Sequence, residues 1–456
     1  MGATESQLAS FVKSFPADQI PAQVMHLAKR CLMNYCGVAL YGSRDPSVTV
    51  LLELAADQGS PPQARLIGRH ERLSLLDAAL VNGYTGHVED YDDTHPTVIH
   101  PSSPIFPSPL AVGERQTTTG KDLLAAYVLG VEVACRVGNL LVAHFREGAD
   151  FWHITNTCGV LGAAAAAGRL LGLSEQQLVW AFAVAGTQAS GVREVFGSDC
   201  KPFHAGRAAQ NGLLAAMLVK RGFTGTDNIF SGPRGFLGAM AKDYDLGEIT
   251  TDLGGHWELP ENGLKPYACG AGNHAFIDAA LALRRKPGVR PDTVQAIHGS
   301  LRRFAPNLVR YQHPVSALDT KFSYFHAIAV ALVDGEALPL QFNDEKAKDP
   351  VIHALRDKIT VSEDASLPSR TAVVTMTLTD GTTYTERIDH PTGTAENPLS
   401  DAQVEEKFRG LAGTVLPANR VDRATQLLWE FEKVPDASEL LALLALQEGE
   451  RVTPSR

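Results

Sequence analysis

The sequence predicts a mainly α protein, in which a large helical domain is interrupted by a smaller α+β domain. Three observations carry that prediction. Apolar residues recur at helical spacing from the N-terminus to about Pro266. The pattern then changes to short alternating runs around a turn signal, and helical spacing returns near the C-terminus. At 456 residues the chain also exceeds what one compact core usually supports, so two domains are expected. We divide it at residues 1–266 (helical, first part), 267–395 (α+β) and 396–456 (helical, second part).

Taken in order, Leu8, Phe11, Val12 and Phe15 form one apolar stripe, and Ile20, Val24, Leu27, Ala28, Cys31 and Leu32 form a second. Two amphipathic helices therefore open the fold. Thr119 with Asp122, and Ser174 with Gln177, carry capping signals ahead of further apolar helices. The segment HITNTCGVLGAAAAAGRLLGL is small and apolar on nearly every face, which places it in the middle of a bundle. Past Pro266, VQAIHGSLRRF alternates as a strand does. In TAVVTMTLTDGTTYTERI, Val374, Met376 and Leu378 alternate and Asp380-Gly381 supplies a hairpin turn. FSYFHAIAVALVDG reads as a helix between these strands, which makes the insert α+β. Ser400 and Gln403 form a capping box where helical spacing resumes.

Composition excludes several functions. The chain is 44% hydrophobic and 20% charged with a net charge of −10, and its Lys and Arg are scattered, so nucleic acid and anionic membranes are poor partners. The N-terminus lacks a signal-type apolar region and no run of uninterrupted apolar residues reaches membrane-spanning length, so a cytoplasmic location is expected. The six cysteines contain no CxxC pair, which argues against a zinc ribbon and a disulfide framework. There is no Walker A, no GxGxxG after a strand and no GxSxG, which disfavours nucleotide cofactors and acyl-enzyme chemistry.

Chemistry concentrates in a few stretches. GHVEDYDDTHPTVIHP sets three histidines and four acids within fourteen positions, at the end of an apolar helix. It reads as a metal site, a proton-transfer site or a solvated loop. Against metal, no HExxH or EF-hand spacing is present. Asp92, Asp93 and Thr94 fit capping roles, and Glu89 and His95 are expected to face water. The position beside an apolar Pro-rich turn half-buries the remainder and singles out Asp90, Thr94 and His100. In GSDCKPFHAGRAAQNG, Lys201, His204 and Arg207 stand near a small-residue helix start, a receptor for carboxylate or phosphate, with a basic surface turn as the bland alternative. His153 leads into the Ala-rich helix, where a lone histidine usually caps. Lys265 and His274 lie at the change of composition, where a cleft between domains is expected. Such a set can hold a small polyanion and move protons on it.

The stretches GHVEDYDDTHPTVIHPSSPIFPSPLAVGE, HITNTCGVLGAAAAAGRLLGL, KPFHAGRAAQNGLLAAMLVKRGFTG with GPRGF, and NPLSDAQVEEKFRGLAG together resemble the successive signatures of the MmgE/PrpD family. The resemblance spans nearly the whole chain. It implies a helical domain built from both chain ends, an inserted α+β lid domain, a homodimer, and chemistry with no required metal and no cofactor. It also implies an enzyme acting next to a carboxylate of a small di- or tricarboxylic acid. Dehydration of a 2-methylcitrate type leads, with cis-aconitate decarboxylation, iminodisuccinate epimerisation and a non-catalytic carboxylate-binding relative as alternatives. By motif, Asp90, Thr94, His100, His153, Lys201 and Lys265 match the family's active-site positions, Tyr311 is set against a lid tyrosine, and His274 ends a further family pattern. On that reading His100 and His153 transfer protons, Lys201, Lys265 and Arg207 hold carboxylates, and Asp90 orients a neighbour. The sequence departs from the family at Gly270, Ala271 and Gly272, where Cys, Arg and an aromatic residue are common, and at Asp199-Cys200, where a Met-Thr pair is frequent. A missing Arg removes a planar two-pronged carboxylate partner, which bears on the identity of the substrate.

Overall fold

The computed structural model describes residues 2–97, 99–147, 151–303 and 311–450. Residues 159–168 are Gly, Ala, Val and Leu only, and every one of them is buried. They belong to the helix Gly159–Leu170 at the centre of the helical part, where small side chains let neighbouring helices come close. The principal helices are α1 (Ala3–Ser14), α2 (Ala22–Gly42), α3 (Leu75–His87), α4 (Gly120–His144), α5 (Gly159–Leu170), α6 (Glu175–Gly186), α7 (Cys200–Lys220), α8 (His274–Arg284), α9 (Tyr324–Val333), α10 (Asp401–Ala412) and α11 (Ala418–Trp429). The capping signals act as expected. Thr119 accepts from the Asp122 N–H at 3.1 Å, and Ser174/Gln177 and Ser400/Gln403 form reciprocal capping boxes.

One apolar core joins both chain ends, running from Leu8 on α1 through α2 to Val404 and Phe408 on α10 and Leu428 on α11. At Gly37 the α2 backbone comes so close to α10 that an added Cβ would lie 3.2 Å from the Phe408 Cα. The helix α4 is long and apolar enough to cross a membrane by length and composition alone, but 89% of that window is buried inside the protein. It also carries a buried ion pair, Arg136 Nε to Glu132 Oε2 at 3.0 Å. These are the marks of a core helix.

A second core draws on Phe276, Ile328, Val374 and Met376 and reaches Val38, Tyr41, Tyr91 and Leu411 of the helical part. It lies under a four-stranded sheet of β3 (Val294–Leu301), β4 (Ile359–Glu363), β5 (Ala372–Leu378) and β6 (Thr383–Ile388), once the two-residue strands β1 (Asp93–Thr94) and β2 (Gly263–Leu264) are counted first. The order is β4-β3-β5-β6, with β3 and β4 parallel and the other pairs antiparallel. Along β5 the burial alternates, Ala372, Val374, Met376 and Leu378 facing inward, as a half-buried strand requires. Gly381, at φ +87°, makes the hairpin turn that joins β5 to β6.

Two glycines set the approach of α3 to α7. A Cβ on Gly206 would fall 2.4 Å from the Leu80 carbonyl oxygen, and one on Gly83 would fall 2.8 Å from the Gly206 Cα. The backbones therefore nearly touch, and His87 at the end of α3 is brought to Lys201 in the first turn of α7.

Candidate active site

The site begins where α3 ends. Past His87 the chain reverses, the Asp90 N–H donating to the His87 carbonyl at 2.9 Å, and Asp90 takes φ +50°, a left-handed conformation that Asp tolerates better than most residues. β1 then pairs antiparallel with β2, Asp93 opposite Leu264 and Thr94 opposite Gly263. That short ladder delivers Lys265, whose N–H donates to the Asp92 carbonyl at 3.1 Å. Its ammonium reaches back to the Asp90 Oδ1 at 2.5 Å and the Asp90 carbonyl at 3.1 Å. From the C-terminal part, Lys407 of α10 donates to the carbonyls of Tyr91 and Lys265, at 2.6 and 2.8 Å, with its Nζ 3.5 Å from the centre of the Tyr91 ring.

The histidines are fixed by their hydrogen bonds. Asp93 accepts from the N–H and Oγ of Ser102, at 3.2 and 2.6 Å, and so caps the short helix Ser102–Ile105. His100 Nδ1 lies 2.6 Å from the Asp93 carbonyl, which can only accept. Nδ1 therefore carries the proton, and Nε2 keeps a lone pair. His87 Nδ1 donates to Asp92 Oδ2 at 2.8 Å, and its Nε2 accepts from Lys201 Nζ at 3.1 Å. Lys201 also pairs with Asp90 Oδ1 at 3.0 Å and lies over the rings of Phe196 and Phe322. His153 Nδ1 meets His204 Nδ1 at 2.9 Å, while His153 Nε2 and Asp90 Oδ2 are buried with no hydrogen-bond partner.

Burial and charge divide the labour between the lysines. Burial lowers the Lys201 ammonium below its usual range, and the Asp90 charge only partly restores it. For Lys265 the same burial is outweighed by Asp90 and Asp92, so it stays firmly charged. Burial works against the Asp90 carboxylate, but Lys201 and Lys265 hold it ionised. Burial, then nearby lysines, keeps His87, His100 and His153 neutral. His87, Asp90, Asp92 and His100 have ligand atoms within 4.8 Å of one another, a spacing open to a metal ion. The cationic position among them is already taken by two ammonium groups, Lys201 on His87 and Asp90 and Lys265 on Asp90 and Asp92. The donor set fits an internal ion-pair network better than a metal centre.

The cluster forms the floor of a cavity of about 480 Å³ between the helical part and the sheet, whose lining includes Asp90, Thr94, His100, Lys201, Lys265 and His274. The structure thus brings six of the sequence-selected residues to one cavity. His153 and His204 stand behind it, His153 stacked on His87 with ring centroids 5.9 Å apart and His204 tilted against His153 at 5.2 Å. Three expectations need correction. Arg207 does not line the cavity. It sits six residues beyond Lys201, about 240° further round the helix, and bonds Gln210 beside the Phe203 ring. Tyr311 is not among the lining residues either; its hydroxyl points to Gly197 and its carbonyl accepts from Ser323 Oγ at 2.5 Å. Glu89 and His95 do not face water: both are buried, Glu89 paired with Lys321 at 2.9 Å and His95 with Glu258 at 3.2 Å. Sequence reasoning also passed over His87. Its signal was there, a histidine five residues before Asp92 at the end of a buried helix.

Comparison with known proteins extends these observations. Residues 6–248 match the MmgE/PrpD N-terminal domain and residues 267–431 match the MmgE/PrpD C-terminal domain. A cis-aconitate decarboxylase-like protein of Aspergillus oryzae is 29% identical, over 97% of this chain and 98% of its own. The cis-aconitate decarboxylase of Homo sapiens is 28% identical over 97% and 94%, and the 2-methylcitrate dehydratase of Cupriavidus necator 23% identical over 80% and 81%. With both family domains matched in order over most of its length, the chain belongs to the MmgE/PrpD family.

Proposed function

We propose that the protein is a metal-independent lyase acting next to a carboxylate of a small tricarboxylic acid, with decarboxylation of the cis-aconitate type as its leading reaction. One observation carries the proposal. An ammonium with a lowered proton affinity, Lys201, is held between Asp90, His87 and two phenylalanine rings at the floor of a cavity. Loss of CO₂ leaves an electron pair conjugated into the remaining carboxylate. Lys265, firmly charged, stabilises that anion, and Lys201 delivers the proton that completes the new C–H bond. Asp92 fixes His87, whose Nε2 orients Lys201, and solvent restores the proton. The unpartnered Oδ2 of Asp90, a residue of the cavity lining, is a buried polar atom of the kind a bound substrate satisfies.

Dehydration is the second reading, favoured by the His100 Nε2 lone pair, which can take a proton from carbon before hydroxide leaves. We rank it second, against the order expected from sequence motifs, with the fuller coverage of the decarboxylase relatives as support. Proton NMR in D₂O, on protein treated with EDTA, separates the two. Incubated with cis-aconitate, the enzyme yields a decarboxylated alkene; with 2-methylcitrate, replacement of the methyl doublet by the singlet of a methyl group on an alkene carbon, without loss of carboxylate, indicates dehydration. Activity that vanishes in EDTA and returns with added metal refutes the metal-independent mechanism. A homodimer is part of the same reading, and light scattering of the purified protein at twice the chain mass is the expected result.

A further inference from the structure

The floor of the cavity explains how one end of a polyanion is held, but not the other. Gly270, Ala271 and Gly272 line the wall and offer nothing beyond a methyl group. The sheet supplies what they lack. The last pair of the β3–β5 ladder is Leu301 opposite Ala372, and just beyond it Arg302 and Arg303 leave β3 while Arg370 approaches β5. All three arginines line the same cavity.

Two features set them apart from ordinary surface arginines. Arg387, on the neighbouring strand β6, is neutralised by Asp389 at 2.8 Å, whereas Arg302, Arg303 and Arg370 have no hydrogen bond or ion pair among the described residues. Arg370 also takes φ +67°, a left-handed conformation that costs a residue with a long side chain and is retained where the surroundings or the function require it. Guanidinium groups free of hydrogen bonds and ion pairs at one end of the cavity, with Glu396 within electrostatic reach of Arg370, and lysines at the other make a receptor with two positive poles. Asp90 is the sole acid in its lining among the described residues.

We infer that Arg302, Arg303 and Arg370 form a second carboxylate site that determines specificity, holding the end of the substrate remote from Lys201 and Lys265. The site rests on the lyase reading above for the identity of its ligand. Guanidinium forks suit a planar carboxylate, and their place at the sheet end provides the arginine function that the 270–272 segment does not. They act on binding and selection and take no part in proton transfer.

Calorimetry with unreactive acids tests this without requiring turnover. Tricarballylate carries both terminal carboxylates, and methylsuccinate lacks one of them. We expect Arg302→Gln/Arg303→Gln and Arg370→Asn to weaken tricarballylate by about tenfold or more each and methylsuccinate by less than about twofold. KM for the true substrate rises with kcat nearly unchanged. Asn adopts the left-handed conformation readily, so Arg370→Asn should not lower Tm. Equal weakening of both ligands, or no weakening of either, overturns the inference, as does a fall in Tm that accompanies a general loss of binding. A protein that shows the selective loss yet turns over no acid keeps the carboxylate site and refutes the lyase reading.

Discussion

The two ends of the cavity are built on opposite plans. At the floor, Asp90, Lys201, Lys265, His87 and Asp92 are all buried and each satisfies another, so removing one strands its neighbours. At the sheet end, three exposed arginines stand without such partners. Reactivity needs groups whose proton affinities are set by burial and by fixed charges, which only a closed network supplies. Recognition needs charge that is free to bind, which a closed network would consume. The contrast predicts that floor substitutions change stability and chemistry together, while sheet-end substitutions change affinity alone.

The largest effect should come from Asp90→Ala, which leaves two buried ammonium groups without their shared carboxylate. We expect a loss of stability of about 3–5 kcal/mol, measured by chemical denaturation, with activity abolished. Wild-type stability would break the floor half of the comparison. Lys201→Met should fold and lose about 10²- to 10⁴-fold in kcat. Retained kcat would remove Lys201 from proton transfer.

Stability should also fall in acid. His204 is held down at about 4, and His274 and His326 at about 3, in each case chiefly by burial. Below the unfolded value near 6.5 the unfolded chain takes up protons that the folded chain refuses. Stability is therefore present above that pH and is lost as pH falls from about 6.5 towards 3, at up to about 1.4 kcal/mol per unit for each histidine. Burial raises Glu132 to about 7, so its contribution runs the other way, declining as pH rises from about 4.5 to 7. The histidines outnumber it, and a Tm series from pH 7 to 4 should fall. A flat series would mean that these imidazoles are not held neutral.

His87→Gln tests positioning more gently. It should cut kcat by about ten- to a hundredfold and move the alkaline-side limb of the kcat–pH profile, where Lys201 gives up its proton, because Lys201 loses its imidazole acceptor and keeps only Asp90. A fall in kcat with an unmoved profile would make His87 merely structural. Arg207→Ala should be the smallest, within about twofold in both kcat and KM, since that guanidinium is turned away from the cavity.

Much of this was legible in the sequence because it is local. Capping pairs, the Asp380-Gly381 hairpin and the change of pattern after Pro266 depend on neighbours along the chain, and Asp90, Thr94, His100 and Lys265 stand where motif and composition pointed. The failures share a cause, which is that their partners are remote. Glu89 and His95 were judged by polarity, but Lys321 and Glu258 bury them from more than 160 positions away. His87 gained its role through the Gly83–Gly206 crossing, which no local spacing reveals. Arg207 was grouped with Lys201 by nearness in sequence, whereas helix geometry separates them.

Lys407 has a consequence for how the protein is made. Its ammonium ties the carbonyls of Tyr91 and Lys265 together, so the floor depends on a residue supplied 142 positions after Lys265. Synthesis at about 5–20 residues per second delivers α10 only after every other part of the floor has emerged. The nascent chain thus carries its two lysines and its histidines through the synthesis of the 142 residues from Lys265 to Lys407 without the strap that fixes them. Catalytic competence should arrive in a single step once α10 has emerged, and not grow as the N-terminal helices fold.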